Sequence, residues 1–149
     1  MNPTANAYRH ILFATDFGPA AQTIGSRAVE LARHYQFRLS LLHVVEYVPT
    51  DLGGDFGMPP PLEVETELLA RSRQRLTELA TQLKAGDATQ FVQVGTTKHE
   101  ILRLAEAQAA DLIVLGSHGR SGLGRLLGST ANAVLHGAPC DVLAVRVTE

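Results

Sequence analysis

Short runs of apolar residues alternate along this chain with longer segments whose apolar residues recur at helical spacing. Four nearly continuous runs lie at residues 10–15, 38–45, 112–115 and 142–147, and a fifth run lies at 89–94. Such runs are typical of strands that are covered on both faces of a sheet. Four longer segments carry apolar stripes that predict helices. They begin after residue 18, at residue 62, at residue 97 and at residue 129, and the second and third end at residue 83 and at about residue 108.

The predicted elements therefore alternate from a first strand to a fifth, with one helix between each pair of strands. Strict alternation predicts an α/β fold in which a parallel sheet carries helices on both faces, joined by right-handed crossovers. The length of 149 residues fits one domain spanning residues 1–149.

Two connections have a distinctive composition. Residues 46–61 contain three glycines, Pro49 and the run Pro59-Pro60-Pro61, which predicts a long irregular loop. Thr97-Lys98-His99-Glu100 has the spacing of a capping box. We expect the Thr97 hydroxyl and the Glu100 carboxylate to satisfy the first amides of the helix that begins there.

Composition narrows the function classes. Thirteen Lys and Arg against fifteen Asp and Glu give a net charge of −2, which argues against a dedicated nucleic-acid binder. The single cysteine, Cys140, excludes a disulfide within the chain and favours a reducing compartment. The first ten residues lack the apolar core of a signal peptide, and no run approaches the ~20 apolar residues of a membrane span. We expect a soluble cytoplasmic protein with no nucleic-acid or membrane partner.

A glycine-rich segment follows the fourth predicted strand, at the sheet edge where open parallel sheets bind ligands. It runs from Gly116 to Thr130 and ends in Ser129-Thr130, where the last helix begins. Glycines let a backbone approach an anion closely, and helix N-terminal amides together with Arg120 and Arg125 suit phosphate. The segment is a candidate phosphate cradle; the alternative is a connector whose glycines only make turns.

Familiar phosphate and nucleophile motifs do not match this segment letter by letter. Gly119 and Gly124 have P-loop spacing, but Arg125 and Leu126 stand where Lys and Ser or Thr are required. A dinucleotide fingerprint would need its third glycine one residue before Gly128, and a nucleophile elbow would need one more residue after the serine. Spacing alone leaves phosphate binding and a simple connector open.

Several single residues have a structural interpretation beside a functional one. Asp16 follows a predicted strand, where an N-cap or Asx-turn competes with ligand binding for the same oxygens. The six histidines show no metal-ligand spacing. We interpret His43 as a hydrogen-bonded core residue, His118 as a solvated loop residue rather than a phosphate contact, and Cys140 as a small buried apolar side chain.

Five segments together resemble the universal stress protein family, and the resemblance covers nearly the whole chain. They are Ala14-Thr15-Asp16-Phe17, Leu41-Leu42-His43-Val44, the run from Ala110 to Gly116, the glycine segment ending in Gly128-Ser129, and the tail from Val134 to Arg146. The resemblance implies a Rossmann-like five-stranded parallel sheet of order 3-2-1-4-5. It also implies a cytoplasmic homodimer linked to stress survival.

Many members of this family bind ATP through the pattern G-x2-G-x9-G-[ST]. Carried over, the resemblance places Thr15 and Asp16 by the ribose and phosphates and the Val44 backbone against adenine. The residues expected to hold the phosphates and ribose are Gly116, Gly119, Gly128, Ser129 and Thr130, with Arg120 adding charge. Here eight residues rather than nine separate Gly119 from Gly128. A subgroup of the family with shortened loops does not bind ATP.

The last predicted strand lies at the sheet edge in the family order, and an apolar edge favours pairing with a second chain. Dimers of the family pair through this strand, so the resemblance implies an antiparallel homodimer through Val142, Leu143, Val145 and Val147.

The leading hypothesis is a stress-response dimer that binds ATP or a related adenine nucleotide, with or without Mg²⁺, as a sensor or switch. The first alternative is a dimeric module that binds protein partners and no nucleotide. A weak ATPase ranks last, because beyond Asp16 the chain offers no convincing Mg²⁺ pair or catalytic base.

Overall fold

Five parallel strands and four helices make up the described part of the molecule. The structure is a computed structural model that describes residues 8–46, 62–118 and 127–147. The strands are β1 (His10–Ala14), β2 (Arg38–Val45), β3 (Thr89–Val94), β4 (Leu112–Gly116) and β5 (Asp141–Val145). The helices are α1 (Ala21–Tyr35), α2 (Leu62–Gln82), α3 (Thr97–Ala107) and α4 (Ser129–Gly137). The predicted elements are all present, although β5 ends two residues before Val147.

The sheet has the order β3-β2-β1-β4-β5, and every neighbouring pair is parallel. The predicted order 3-2-1-4-5 is therefore confirmed. The chain leaves β1 toward β2 but leaves β4 toward β5, so the strand order reverses between β1 and β4. In an open parallel sheet a crevice opens at the carboxyl ends of the two strands where this reversal occurs.

Two apolar clusters cover the two faces of the sheet. Alternate residues of β1 point to opposite faces, as the pleat requires. Ile11 and Phe13 pack with α1 and α2 in one cluster. Leu12 and Ala14 pack with α3 and α4 in the other. The crevice between β1 and β4 therefore lies at the edge where the two helical layers part.

Gly25 lets α1 approach the sheet closely. A Cβ at this position would lie 2.6 Å from Leu83 Cδ1 and 2.9 Å from Phe13 Cε2, inside the van der Waals limit. A larger side chain here would require Leu83 or Phe13 to shift. This close approach brings Ile24 to the carboxyl end of β4, where it reaches the crevice.

A polar network closes the amino end of the sheet around His10, which is 2% exposed. Its Nε2 lies 2.6 Å from Ser40 Oγ, while its Nδ1 lies 3.0 Å from the Gln108 carbonyl and 3.1 Å from Arg38 Nη2. A carbonyl only accepts and a guanidinium only donates, so Nδ1 bonds one of them at a time. Burial lowers the pKa of His10, and the charge of Arg38 lowers it further.

The predicted capping box at the start of α3 is wrong. Thr97 is the first helical residue, and the preceding N-cap, Thr96, makes no capping bond with its side chain. The Thr97 hydroxyl instead donates to Glu46, at the end of β2. Glu100 accepts a 2.7 Å bond from Arg103, one turn along the helix. The reason is a tertiary contact: the Glu46 carboxylate, directly after β2, accepts the bonds from Thr97 that the local motif would use.

No helix within the described ranges is long and apolar enough to cross a bilayer.

Candidate functional site

A cavity of about 620 Å³ opens at the carboxyl edge of the sheet, at the reversal between β1 and β4. Side chains or backbone from β1, β2, β4 and all four helices line it. Seven of the nine residues predicted to bind nucleotide are among them: Thr15, Asp16, Val44, Gly116, Gly128, Ser129 and Thr130. The other two, Gly119 and Arg120, lie outside the described residues.

The turn after β1 is built from its own side chains. Thr15 N–H donates to the Leu42 carbonyl at 2.9 Å, which extends the β1–β2 ladder by one bond. Phe17 N–H donates to Thr15 Oγ1 at 3.1 Å, and Gly18 N–H donates to Asp16 Oδ1 at 2.7 Å. The Asx-turn interpretation of Asp16 is therefore confirmed. Its exposed carboxylate lines the cavity as well, so the turn presents this group to a ligand.

The backbone of Val44 faces the crevice. The N–H and C=O of successive strand residues point alternately to the two neighbours. The Leu42 carbonyl points to β1 and the Val45 carbonyl to β3, where it accepts from Gly95 N–H at 3.1 Å. Val44 N–H and C=O therefore point toward β1, but beyond the residue where β1 ends. Both groups are placed to bond the edge of a flat ligand.

His43 secures this arrangement from β2. Its Nδ1 lies 2.8 Å from the Thr15 carbonyl, and because a carbonyl only accepts, Nδ1 carries the proton. The predicted hydrogen bond of His43 is confirmed, whereas its placement in the core is wrong, because the side chain lies at the cavity wall. The ring is half-buried and lines the cavity.

The first turn of α4 offers backbone amides to the same cavity. Gly128 is the N-cap, and the first bond along the helix runs from Asn132 N–H to the Gly128 carbonyl at 2.8 Å. The amides of Ser129, Thr130 and Ala131 precede that bond and have no acceptor within the helix. Gly128 N–H donates to the Ser117 carbonyl at 2.7 Å, which fixes this turn to the end of β4. A helix N-terminus so placed favours an anionic group.

Gly116, at the end of β4, lies close to the side chain of Ile24. A Cβ at Gly116 would lie 2.7 Å from Ile24 Cδ1 and 3.3 Å from the His118 carbonyl.

The prediction that His118 is solvated is wrong, since the ring is half-buried and its Nδ1 lies 3.0 Å from Ser117 Oγ. Its Nε2 is buried and has no hydrogen-bond partner among the described residues. A buried nitrogen without a partner fits a site that a polar ligand completes.

Charge is divided across the cavity. Among the described lining residues, Asp16 and Glu46 supply carboxylates, and none is Lys or Arg. Carboxylates accept bonds from hydroxyl and amino groups, whereas helix amides donate to phosphate. The described lining therefore suits a molecule with a sugar or amino end and an anionic end. In the described ranges, no three His, Cys, Asp or Glu residues are grouped to hold a metal ion.

Twelve of the nineteen described lining residues were not among the predicted nine, and four of these twelve are Glu46, Ser72, Thr97 and Ile101. Glu46 and Thr97 follow predicted strands and could have been found by extending each strand to the sheet edge. Ser72 and Ile101 lie within helices, and nothing in their spacing reports which helical turn reaches the cavity.

Cys140 is not part of the cavity. It is half-buried and packs against the α3 and α4 side of the core, as expected for a small apolar side chain. Burial raises the pKa of its thiol, and the carboxylates of Asp111 and Asp141 raise it further. The thiol is therefore protonated at neutral pH and is a poor nucleophile.

β5 forms one edge of the sheet, with β4 as its neighbour. The four residues predicted at a dimer interface pack largely against their own chain: Val145 is buried, and Val142, Leu143 and Val147 are half-buried. The Val145 carbonyl accepts from Ser117 N–H on the β4 side. By alternation, the backbone groups of Val142, Ala144 and Arg146 point away from β4. This edge therefore offers main-chain bonds more than side chains.

The chain is similar to known proteins over nearly its whole length. The model of the universal stress protein family matches residues 7–146. Universal stress protein A homolog 1 of Coxiella burnetii is 43% identical over 142 residues, covering 95% of this chain and 99% of that protein.

Solved structures agree with this similarity. The universal stress protein UspA from Lactobacillus plantarum is 31% identical, with a TM-score of 0.69 over 93% of this chain and 98% of that one. A universal stress protein solved in complex with cAMP is 26% identical, with a TM-score of 0.65 over 93% of this chain and 97% of that one.

Proposed function

The chain belongs to the universal stress protein family, and from that premise we propose that it binds ATP or a related adenine nucleotide in the cavity between β1 and β4. The nucleotide acts as a signal in a cytoplasmic stress-response dimer, and the protein is a sensor or switch rather than an enzyme.

One observation carries the proposal. The Val44 backbone groups, the Asp16 carboxylate and the first amides of α4 line one cavity of about 620 Å³. A base edge bonds paired donors and acceptors, a ribose donates from its hydroxyls, and a phosphate accepts from amides. These three preferences match the three parts of the cavity wall in chemical kind.

The similarity to a family member solved with cAMP supports an adenine nucleotide as the ligand class. In this proposal Thr15 and Asp16 contact the ribose and phosphates, and Gly116, Gly128, Ser129 and Thr130 surround the phosphates. Gly119 and Arg120 complete the phosphate site from the segment that has one residue fewer than the family pattern. Mg²⁺ accompanies ATP where the phosphates need a counter-charge.

The homodimer forms through β5, whose outward main-chain groups pair with those of a second copy. Protein partners then recognise the nucleotide-bound and free forms differently. Hydrolysis is not required for such a switch, because a ligand shifts populations by its differential affinity for the two forms.

Two measurements test the ligand. The chain has no Trp and three Tyr, so it absorbs weakly at 280 nm and a copurified adenine nucleotide shifts the absorbance maximum toward 260 nm. Titration calorimetry with ATP, AMP and cAMP, each with and without Mg²⁺, should give one site per protomer, with GTP as the matched control. A clean spectrum together with no binding heat for any adenine nucleotide contradicts the proposal and favours the interaction module that binds protein partners.

Hydrolysis is tested separately. We expect no release of inorganic phosphate from ATP above the level of a matched blank. Turnover that disappears in Asp16→Ala would instead establish the weak ATPase.

A further inference from the structure

The residue after Asp16 has an unusual backbone conformation. Phe17 has φ of +60°, in the left-handed region that bulky residues avoid. Three other described non-glycine residues share such an angle: Gln36, Lys84 and Ala109. Each of those follows a helix within two residues of its end, where a left-handed residue is an ordinary cap. Phe17 follows a strand, so helix capping does not account for it.

The ring of Phe17 is held by two other elements. It stacks on the His43 ring of β2, with centroids 4.1 Å apart and planes 29° apart. The guanidinium carbon of Arg75, on α2, lies 4.4 Å from the ring centroid. Two planar groups cannot both approach the same face so closely, so the ring is clamped between them. Cation–π attraction and stacking both stabilise this arrangement.

The clamp acts on the turn that carries the ligand-facing groups. His43 also bonds the Thr15 carbonyl, and Phe17 N–H bonds the Thr15 hydroxyl. Residues 15–18 are therefore attached to β2 at both the backbone and the Phe17 ring. Phe17 itself does not line the cavity, whereas Thr15 and Asp16 do. A strained residue held in this way beside a binding site is a common sign of preorganisation.

We propose that Phe17 is a positioning residue for this site, and that Arg75 acts on the site through the Phe17 ring. The clamp holds the left-handed turn that directs Thr15 and Asp16 into the cavity before any ligand arrives. The expected effect on ligand affinity rests on the proposed nucleotide function. The rigidity of residues 15–18 in the free protein can be measured without any ligand. Through the Phe17 ring, Arg75 of α2 acts on the ligand site without touching the ligand.

Four variants separate the contributions. Phe17→Gly removes the clamp and tolerates the left-handed angle, so the turn loses its hold without added strain. Phe17→Tyr keeps the ring and should behave as wild type. Arg75→Gln removes one side of the clamp. Arg71→Gln is its matched control, because it removes one charge from the same helix, at an exposed ion pair with Glu67.

The first readout is amide hydrogen exchange, by NMR, of Phe17 and Gly18 in the free protein. We expect faster exchange in Phe17→Gly and Arg75→Gln, with the amides of β1 and α1 unchanged. The second readout is ATP affinity by calorimetry. We expect a loss of about tenfold in Phe17→Gly and about two- to fivefold in Arg75→Gln, with no change in Arg71→Gln.

Unchanged exchange in Phe17→Gly overturns the positioning role, whatever happens to affinity. Faster exchange with unchanged ATP affinity overturns the link to the ligand site. If wild type binds no adenine nucleotide, the proposed function fails, and the exchange measurement alone decides whether Phe17 holds the turn.

Discussion

The Glu46 carboxylate at the end of β2 holds the first residue of α3, Thr97, by both its backbone and its side chain. Oε1 accepts from Thr97 N–H at 3.3 Å, and Oε2 accepts from Thr97 Oγ1 at 2.9 Å. The first amides of a helix lack partners within it, and a negative charge there is favourable. Glu46 therefore caps α3 from a different element, at the rim of the candidate ligand cavity.

We expect Glu46→Gln to lower the free energy of unfolding by about 0.5–1 kcal/mol, because it removes the charge at the helix end. Thr97→Val should cost a similar amount, since it removes the hydroxyl that Glu46 accepts. Urea unfolding of both single variants and the double variant measures their coupling. Strictly additive losses would show that the two side chains do not act as a pair.

Asp16→Asn separates the turn bond of this side chain from its proposed contact with the ligand. An asparagine oxygen accepts from Gly18 N–H as a carboxylate does, so the turn and the melting temperature should be preserved. The lost charge weakens bonds from ribose hydroxyls, and we expect ATP affinity to fall by about fivefold to tenfold. Asp16→Ala removes both roles and should reduce affinity and melting temperature together. If Asp16→Asn binds ATP as tightly as the wild type, the negative charge of Asp16 does not contribute to binding and the side chain serves only the turn.

The pKa of His10, lowered by burial and by Arg38, makes stability depend on pH in one direction. The unfolded chain binds a proton near the ordinary value of about 6.5, while the folded chain resists it. Stability is therefore complete above about pH 6.5 and declines as the pH falls toward the lowered pKa of the folded state.

Urea unfolding between pH 8 and pH 5 measures this decline. We expect His10→Gln to flatten it and to cost about 1–3 kcal/mol at pH 8, because Ser40 and Gln108 lose a well-placed partner. His99→Gln, at an exposed helical position, is the control and should keep the wild-type slope. An unchanged slope in His10→Gln would assign the acid sensitivity to another group.

Ala144→Pro tests the proposed β5 dimer without removing a bond of the β4 ladder. The Ala144 N–H points away from β4, and proline is tolerated on an edge strand where the lost N–H faces outward. We expect the dimer dissociation constant to rise about tenfold or more while the protomer stays folded. Leu143→Pro is the contrast, since that N–H points to β4 and its loss should unfold the protein. Sedimentation velocity measures the dimer and circular dichroism measures folding. If Ala144→Pro still forms the dimer, the interface does not lie at β5.

The fold could be predicted from sequence because its signals are local and repeated. The buried strands read as continuous apolar runs, and Gly18, Gly86 and Pro139 mark the boundaries of elements. The strand order 3-2-1-4-5 needed the family resemblance, since alternation alone does not say on which side of β1 each strand lies. The end of β5 was placed two residues late because Arg146 and Val147 continue its alternation after the β4 ladder has ended.

The site was predictable where it lies directly after strands and not where it depends on contacts between elements. Asp16 lies just after β1 and Gly116 is the last residue of β4, and the topology brings them to one cavity. The Glu46–Thr97 bond joins residues 51 positions apart, and no local pattern reports it. The capping-box spacing was misleading for this reason, because a partner from β2 took the hydroxyl that the local motif reserves for the helix.

β1 carries His10 at its first residue and leads into Thr15 directly after its last, so about 17 Å of strand separates the buried histidine from the candidate ligand cavity. Acid acts on stability through protonation of His10 at one end of the strand. A ligand would act through binding in the cavity at the other end. A ligand that fills the cavity would postpone acid unfolding by mass action, yet it would leave the number of protons taken up unchanged. Acid and a bound ligand would thus both act on the stability of the same sheet, without any direct contact between His10 and the cavity.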